Sequence, residues 1–263
     1  MKRSEQSGME SSVGPVNLVV EFFGISGVGK STLAAKVLQR LSQIEVCSPA
    51  TKSLHGSNDP FSSKVLRYIH FFCNRPRFAI AAIFHILASR QRSRHDLFFV
   101  LKHWFDKWSL LWSQVRAKGL WVNDEGIFVA LWSVAFSAKR EWILEDFYLK
   151  CCNCEIPGIV VVVDANVDTI LRRLSTRTRI TRLERQVKAE SLSAVTRGMA
   201  VYKMVRNSVL REIESRNGLE IVFIDNSKDE DLDRNVDIIV ERITSAVRLG
   251  ESNNRYAKID DAK

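Results

Sequence analysis

The chain has 263 residues, of which 46% are hydrophobic, and it carries a formal net charge of +9. This length suits one α/β domain with an insertion, and the absence of any apolar run of ~20 residues excludes a transmembrane helix. The positive charge implies anionic partners, a class that includes phosphorylated small molecules, nucleic acid and acidic membrane surfaces.

Both ends of the chain are polar. Residues 1–14 have no apolar core, so we expect a disordered N-terminal segment rather than a signal peptide, and a disordered tail at residues 251–263. Residues 15–250 are expected to form the folded domain. Five cysteines, an odd number, without an export signal predict a reducing, cytoplasmic environment. Residues 151–154 (CCNC) hold one C-x-x-C pair without a second, which favours plain thiols over a zinc or redox site.

The first predicted elements surround a glycine-rich loop. Residues 16–23 (VNLVVEFF) predict a β-strand, and a helical pattern follows the loop to about residue 42. Between them, residues 24–31 (GISGVGKS) fit the pattern G-x-x-x-x-G-K-[ST] without a mismatch, between the strand and the helix that this pattern requires. The sequence therefore predicts a loop that binds the phosphates of a nucleoside triphosphate.

The residues of this loop have separate predicted roles. Glycines bring main-chain N–H groups against a phosphate chain where a side chain would clash, and the N-terminus of the helix points at the same phosphates. Lys30 is predicted to reach the β- and γ-phosphates, and the hydroxyl of Ser31 to bind Mg²⁺. The predicted nucleotide contacts of the loop are Gly24, Ser26, Gly27, Val28, Gly29, Lys30, Ser31 and Thr32.

A long aromatic stretch follows a short second strand, which we expect at residues 44–49 (IEVCSP). Residues 60–118 are predicted to be a helical insertion that selects the acceptor. Apolar residues recur in it at spacings of four and three, which is typical of one helix face. They are Leu97, Leu101, Trp104, Trp108, Leu111 and Val115. Core packing is the first interpretation of this face, and an aromatic substrate wall or a lipid-facing surface is the alternative.

Two further features of the insertion are polar. Arg90, Arg92 and Arg94 favour a solvated turn, with contact to an acceptor phosphate or an anionic membrane as the alternative. The histidines of the insertion show no metal-ligand spacing, and we assign them no chemical role.

A pair of acids closes the next predicted strand, residues 120–124 (LWVND), which a helix over about residues 127–148 follows. One acid of Asp124 and Glu125 can hold magnesium together with Ser31, and the other can accept or orient the proton of an attacking hydroxyl. Asp124 is the predicted metal ligand. The sequence leaves open which of the two is the base, with a slight preference for Asp124.

The second half of the chain begins with the clearest buried strand, residues 158–165 (GIVVVVDA). A helix follows, and residues 172–186 then bring six arginines into one short span. Because guanidinium groups match phosphate oxygens, Arg173, Arg177 and Arg179 are predicted to contact phosphate, with a solvated basic helix face as the alternative.

The remaining predicted elements are a helix at about residues 189–215, a strand at 219–226 (LEIVFIDN) and a closing helix at 231–249. Asp229 or Asp231 would cap this last helix, and Gly250 would end it. Strands that alternate with helices predict a three-layer α/β/α fold with a five-stranded parallel sheet.

Acidic residues follow several of these strands. They are Asp124, Glu125, Asp164 and Asp225. Because the carboxyl ends of parallel strands meet at one edge of the sheet, we expect these acids to share that edge with the loop at residues 24–31. The sequence therefore predicts the functional site there.

These motifs together resemble the thymidylate kinase-like group of P-loop nucleotide kinases. The resemblance covers the loop, residues 120–126 and most of residues 158–246. It implies a three-layer P-loop fold, ATP and Mg²⁺ as cofactors, and a lid at residues 177–186 that brings arginines to the transferring group. Lys30, Asp124, Glu125, Arg177 and Arg179 are the implied catalytic residues, and Arg173 is an implied nucleotide contact.

The sequence departs from this group at Glu125, where thymidylate kinases have an arginine that holds the acceptor phosphate. The resemblance therefore implies an ATP-dependent phosphotransferase whose small acceptor, a nucleotide or nucleoside, bears a phosphate or a hydroxyl. A kinase for a sugar or another metabolite is the first alternative. A nucleotide-dependent adaptor that docks a partner or a membrane is the second. Nucleic acid is not an expected partner, and a homodimer is left open.

Overall fold

A computed structural model describes residues 17–44, 52–53, 61–117, 119–139, 158–176, 192–211, 214 and 219–260. Its strands are β1 (Asn17–Phe23), β2 (Lys52–Ser53), β3 (Gly119–Asn123), β4 (Ile159–Asp164) and β5 (Glu220–Asp225). Its α-helices are α1 (Lys30–Leu41), α2 (Phe61–Asn74), α3 (Pro76–Ala88), α4 (Arg94–Arg116), α5 (Ile127–Ser137), α6 (Val167–Ser175), α7 (Leu192–Met204) and α8 (Leu232–Asp260). A π-helical turn (Val205–Leu210) follows α7, and a 3-10 turn (Asp229–Asp231) precedes α8.

The strands form one parallel sheet in the order β2-β3-β1-β4-β5. Strand β1 is central, since Val20 lies opposite Val122 of β3 on one side and Ile159 of β4 on the other. Strand β3 is buried at every position, and β1 and β4 at almost every position, as expected for a parallel sheet covered on both faces. Four strands of five to seven residues form the body of the sheet, and β2 adds two residues at its edge.

Helices pack around this sheet in two groups. Helices α1 and α8 pack against each other, while α5 packs against both α4 and α7. Helices α2 and α3 pack on α4 and on each other, so the helical insertion forms a subassembly attached through α4. The structure has the predicted α/β architecture with a parallel sheet.

Helix α4 has the predicted apolar face. Trp104, Trp108 and Leu111 are buried in the hydrophobic core. Rings from α2 and α3 pack on the same helix: Phe72 contacts Phe105, and Phe78 contacts Trp108. Core packing is therefore the correct interpretation of this face.

Helix α5 is shorter than predicted, because it ends at Ser137 rather than near residue 148. Ala138 is extended and forms a β-bridge with Gln91, and the N–H of Lys139 donates to the carbonyl of Ser89. These contacts with the α3–α4 connection terminate the helix, and a local sequence pattern does not reveal them.

The last helix also differs from its prediction. Gly250, expected to end it, lies within α8, which runs on to Asp260 and into the segment expected to be disordered. Asp229 does not cap α8. Its carboxylate instead pairs with Arg172 and Arg173, at 3.0 and 2.5 Å.

Several predictions fall outside the described residues. These are the N-terminal segment 1–14, residues 45–49 of the second strand, the cysteines at 151–154, and the ends of the helix expected at 189–215. Ile44 belongs to the turn that follows α1, where its N–H donates to the carbonyl of Leu41. Within the described ranges, none of the helices combines the length and the apolar character that crossing a membrane requires.

Candidate active site

The loop at residues 24–29 connects β1 to α1 and has the backbone that the glycine pattern predicts. Gly27 and Gly29 both have a φ of 95°, a left-handed conformation that favours glycine, and Gly29 is the N-cap of α1. Gly24 passes so close to β4 that a Cβ there would lie 2.5 Å from the carbonyl oxygen of Val163. The glycines therefore allow a tight loop that lies directly against the end of the neighbouring strand.

Lys30 and Ser31 begin helix α1 at the centre of this site. Lys30 is buried, and its Nζ donates a 3.0 Å hydrogen bond to the carbonyl of Ile25 in the same loop. The hydroxyl of Ser31 donates a 2.9 Å hydrogen bond to Oδ2 of Asp124. The helix N-terminus, the lysine and the carboxylate that follows β3 therefore lie in one place, as the sequence predicted.

Asn123, the residue before Asp124 and the last of β3, fixes the end of this strand. The amide of Asn123 exchanges two hydrogen bonds, of 2.8 and 2.9 Å, with the amide of Gln114 in α4, and both side chains are buried. A paired buried amide satisfies its own polar atoms and fixes the register of the elements that carry it. The end of β3 is thus tied to the helical insertion.

A second acid, Glu21, supports the same turn from the middle of β1. It is buried, and its carboxyl oxygens accept hydrogen bonds from the N–H groups of Ile127 and Phe128, at 3.0 and 2.7 Å. Burial raises the pKa of Glu21 to about 8, while the bonds from Phe128 and Ile127 and the charge of Lys107 act in the opposite direction. Glu21 is a site residue that the sequence analysis did not identify.

Arg173 lies beside the loop on the other side. Its Nη1 donates a 3.1 Å hydrogen bond to the carbonyl of Val28, which also accepts a 2.7 Å bond from the amide of Asn226. Asp229 pairs with Nη2 of Arg173 at 2.5 Å, and the bonds from Arg173 and then Arg172 lower the pKa of this carboxyl. Arg173 therefore lies beside the glycine-rich loop, and its contact with a nucleotide stays a prediction.

A cavity of about 260 Å³ opens at this position. It is lined by Gly27, Gly29, Thr32, Arg173, Thr176, Asn226, Asp229 and Leu232. The Oδ1 atom of Asn226 is buried and has no hydrogen-bond partner among the described residues. The cavity thus combines a guanidinium and glycine backbone in a volume suited to a small polar ligand.

Glu125 faces the helical insertion. Its Oε2 lies 3.8 Å from Nζ of Lys107 in α4, and 44% of its side chain is exposed. His103, one helix turn before Lys107, stacks on Phe99, and burial followed by the charge of Lys107 lowers its pKa to about 4. Lys107 and His103 are neighbours of the candidate acids that the sequence analysis passed over.

The other acids at strand ends have partners of their own. Asp164 accepts a 2.6 Å hydrogen bond from Nη1 of Arg206 in the π-helical turn. Asp225 accepts hydrogen bonds from the N–H and the hydroxyl of Ser227. Both residues lie at the predicted edge of the sheet, but Asp225 is engaged in a local turn rather than at the loop.

The remaining predicted site residues fall into two groups. Ser26, Gly27, Val28 and Thr32 lie in the loop or the first turn of α1 as expected. Arg177 and Arg179, with the whole proposed lid at 177–186, lie outside the described residues. Within the described ranges, no cluster of three or more His, Cys, Asp or Glu side chains is placed to hold a metal ion.

The sheet, the loop and the strand-end carboxylate define the class of the fold, a P-loop nucleotide kinase fold. The chain is similar to the deoxyadenosine kinase of M. mycoides, solved with bound dATP, with a TM-score of 0.51 and 12% identity over 86% of this chain and 98% of that one. It also matches thymidylate kinase from Ehrlichia chaffeensis, with a TM-score of 0.48 and 11% identity over 87% of this chain and 100% of that one.

At these identities the likeness concerns the fold alone. No family model matches the sequence, and no curated protein matches it either.

Proposed function

We propose that the chain is an ATP-dependent phosphotransferase that moves the γ-phosphoryl group to a small acceptor, a nucleoside or nucleotide. The observation that carries the proposal is the 2.9 Å hydrogen bond between Ser31 and Asp124. It joins the hydroxyl of a phosphate loop to the carboxylate at the end of the neighbouring strand. The kinase fold supports the same assignment, since the similar chain is named a deoxyadenosine kinase.

Magnesium fits the donor set at this position. Ser31 and Asp124 offer a hydroxyl and a carboxylate oxygen 2.9 Å apart, and hard oxygen ligands of this kind suit Mg²⁺, which otherwise relies on water and substrate phosphates. When bound, the ion would neutralise charge on the phosphates. Ser31 and Asp124 are the residues that would hold it.

The remaining residues would bind and orient the reactants. Main-chain N–H groups of the loop and the ammonium group of Lys30 would bind the β- and γ-phosphates, with Arg173 and the cavity beside it at the other end of the nucleotide. Lys30 now donates to the carbonyl of Ile25, a bond that it can exchange for a phosphate oxygen.

We infer different roles for the two acids. Asp124 already accepts the hydroxyl of Ser31, whereas Glu125 is turned toward the insertion and is 44% exposed. We therefore assign the metal side to Asp124 and the proton of the acceptor hydroxyl to Glu125. In this scheme the acceptor oxygen forms a bond to the γ-phosphorus, the bond to the leaving diphosphate breaks, and the acceptor proton passes to the carboxylate.

The lid at 177–186 belongs to this proposal as well. Arg177 and Arg179 would reach the transferring group when the lid closes, and closure would exclude water from the reaction. A lid of this kind acts mainly in the transition state. Arg177→Ala should therefore lower turnover much more than ATP affinity.

The decisive experiment incubates the full chain with γ-labelled ATP, Mg²⁺ and a panel of nucleosides, nucleotides and sugars. Transfer of label to one acceptor class supports the proposal, and Lys30→Ala should abolish it. Lys36→Ala, on the same helix but paired with Asp233 at 2.7 Å, is the matched control and should retain transfer. Slow hydrolysis without transfer to any acceptor would favour an adaptor over a kinase.

A further inference from the structure

The helical insertion carries the whole net charge of the chain. Residues 60–118 contain eleven Lys and Arg residues and two Asp residues, a net charge of +9, which equals the value for all 263 residues. The rest of the chain is electrically balanced. Residues 172–186, with six arginines, are a second cationic segment, but only the insertion combines a large positive net charge with exposed apolar residues.

Helix α3 in this insertion is apolar on two faces, of which only one is covered by described residues. Ala79, Ala82 and Ile86 are buried against the protein. On the outward face, at spacings of four and three, Ile80 is 53% exposed, Phe84 68% and Leu87 47%. A surface helix of a soluble protein normally presents polar residues outward, so this face indicates a ligand or a partner.

The same arrangement continues into helix α4. The connection at residues 89–93 joins the two helices, and Phe98, in the second turn of α4, is 71% exposed. Arg77, Arg90 and Arg94 are exposed around these apolar residues, and no ion pair among the described residues involves them. Exposed apolar and cationic side chains thus occur together on both helices of the α3–α4 hairpin.

This end of the hairpin is attached firmly to the domain. The N–H of Arg92 donates to the carbonyl of Ser137 at 3.1 Å, and Gln91 forms a β-bridge with Ala138. The guanidinium of Arg92 lies 6.0 Å from the ring centroid of Phe136 in α5. The connection between α3 and α4 is therefore held against α5.

We propose that this surface, which we call the insertion face (Ile80, Phe84, Leu87 and Phe98, with Arg77, Arg90 and Arg94), docks on a bilayer containing anionic lipids. The apolar side chains enter the boundary between headgroups and acyl chains, and the arginines bind lipid phosphates. Helix α3 has 13 residues, about 20 Å at 1.5 Å per residue, too short to span a bilayer core of about 30 Å. The contact is peripheral, with α3 lying in the plane of the membrane.

The composition of the insertion face favours lipid over nucleic acid, which also attracts arginine. Proteins that bind single strands rely on aromatic rings that stack on bases. Ile80 and Leu87 have no such ring, yet they are two of the three exposed apolar residues on the outward face of α3. Hydrocarbon is the environment that suits these two side chains together with Phe84.

The first test measures co-sedimentation of the full chain with vesicles of phosphatidylcholine, alone or with 30% phosphatidylglycerol. We expect binding to the anionic vesicles only, weakened at least about tenfold in Phe84→Ser/Phe98→Ser and in Arg77→Glu/Arg94→Glu. The matched controls are Phe223→Ser, which replaces a phenylalanine 62% exposed on β5, and Arg234→Glu on α8. Both controls should bind as the unaltered chain does.

A second test reports insertion directly and does not depend on a destabilising change. The chain already has six tryptophans, so the readout is the quenching by brominated lipids that a variant gains over the unaltered chain in anionic vesicles. Phe98→Trp should gain quenching, and Phe223→Trp should not. Absence of binding to anionic vesicles, or equal quenching of the two variants, would overturn the proposal.

Two further outcomes would assign the insertion face to another partner and would also overturn the proposal. One is binding of a single-stranded RNA oligonucleotide that Phe84→Ser/Phe98→Ser abolishes while vesicle binding persists. The other is a dimer in sedimentation velocity that the same double variant dissociates. Retained nucleotide binding in each variant separates these outcomes from failure of the phosphotransferase assignment.

Discussion

The carboxyl group of Glu21 fills the space directly beneath Gly126. A Cβ at position 126 would lie 2.1 Å from Cδ of Glu21, and the same carboxyl accepts hydrogen bonds from the two residues that open α5. The central strand is therefore joined through one buried side chain to the turn that carries Asp124 and Glu125. Small changes at Glu21 or Gly126 should therefore affect both the stability of the protein and its activity.

Gly126→Ala places a methyl group inside this contact. Because the clash is with a buried carboxyl group held by two hydrogen bonds, we expect a loss of about 1–3 kcal/mol in the free energy of unfolding. The turn should also shift, which would lower phosphotransfer more than nucleotide affinity. Urea denaturation and steady-state rates measure the two effects.

The control for this clash is the double variant Glu21→Ala/Gly126→Ala. Removing the carboxyl makes room for the methyl group, so the two changes should be less damaging together than the sum of their separate effects. Strict additivity would show that the two residues do not interact as the structure indicates.

Glu21 should also make the stability of the protein depend on pH. Burial raises its pKa to about 8 from an ordinary value of 4.5, so between these values the folded chain holds a proton that the unfolded chain has released. The contribution of Glu21 to the free energy of unfolding is therefore complete below about pH 4.5, and it is lost as the pH rises to about 8. We expect a slope of about 1 kcal/mol per pH unit from this group.

Urea midpoints between pH 5 and 8.5 test this dependence, and Glu21→Gln should flatten the profile. Asp229→Asn provides the contrast, because Arg173 and Arg172 lower the pKa of Asp229 from its ordinary value of 3.8. Its stabilisation is lost only as the pH falls below that value, so this variant should keep the slope of the unaltered chain between pH 5 and 8.5. Parallel profiles for the unaltered chain and Glu21→Gln would contradict the assignment.

The sequence carries most of the information about the sheet. Strands β1, β3, β4 and β5 lie within one or two residues of their predicted positions, because runs of buried β-branched and aromatic residues are a local signal. The end of α5 was predicted wrongly because it depends on the bridge between Ala138 and Gln91, 47 positions apart. Gly250 is a local stop signal that the structure of α8 overrides.

In the candidate site too, some contacts could be predicted from local sequence and others depend on how distant elements pack. The contact between Ser31 and Asp124 follows from a motif and from the rule that parallel strands end at one edge. Lys107 and His103 reach Glu125 only through the packing of α4, which no spacing reveals. Glu21 had a visible signal, since a carboxylate within an apolar strand must be satisfied by a partner.

Arg173 should matter for nucleotide binding. It donates to the carbonyl of Val28 in the phosphate loop and lines the adjacent cavity, so Arg173→Ala removes a support of the loop and a cationic contact. We expect nucleotide affinity to fall by about tenfold or more, the range typical of a lost hydrogen bond to a charged group. Isothermal titration with ATP measures it.

Arg172→Ala is the matched control for that experiment. Arg172 also pairs with Asp229, at 3.0 Å, but its side chain is 61% exposed and it does not line the cavity. Its removal should leave ATP affinity nearly unchanged. Equal losses in the two variants would mean that the general positive charge of α6, rather than the contact with the loop, determines affinity.

Lys107 should act on the acceptor rather than on ATP. Its Nζ lies 3.8 Å from Glu125 and its side chain is only 19% exposed, so Lys107→Met removes a positive charge close to that carboxylate on the insertion side. His103 cannot replace it near neutral pH, since its pKa is lowered to about 4. We expect a KM for the acceptor raised about tenfold, with the KM for ATP nearly unchanged, because the change lies on the insertion side of the site.

Lys102→Met is the control, because it removes an exposed lysine of the same helix that pairs with Asp106 rather than with Glu125. It should leave both constants unchanged. A rise in the KM for ATP alone would place Lys107 on the nucleotide side and would contradict the assignment of acceptor binding to the insertion.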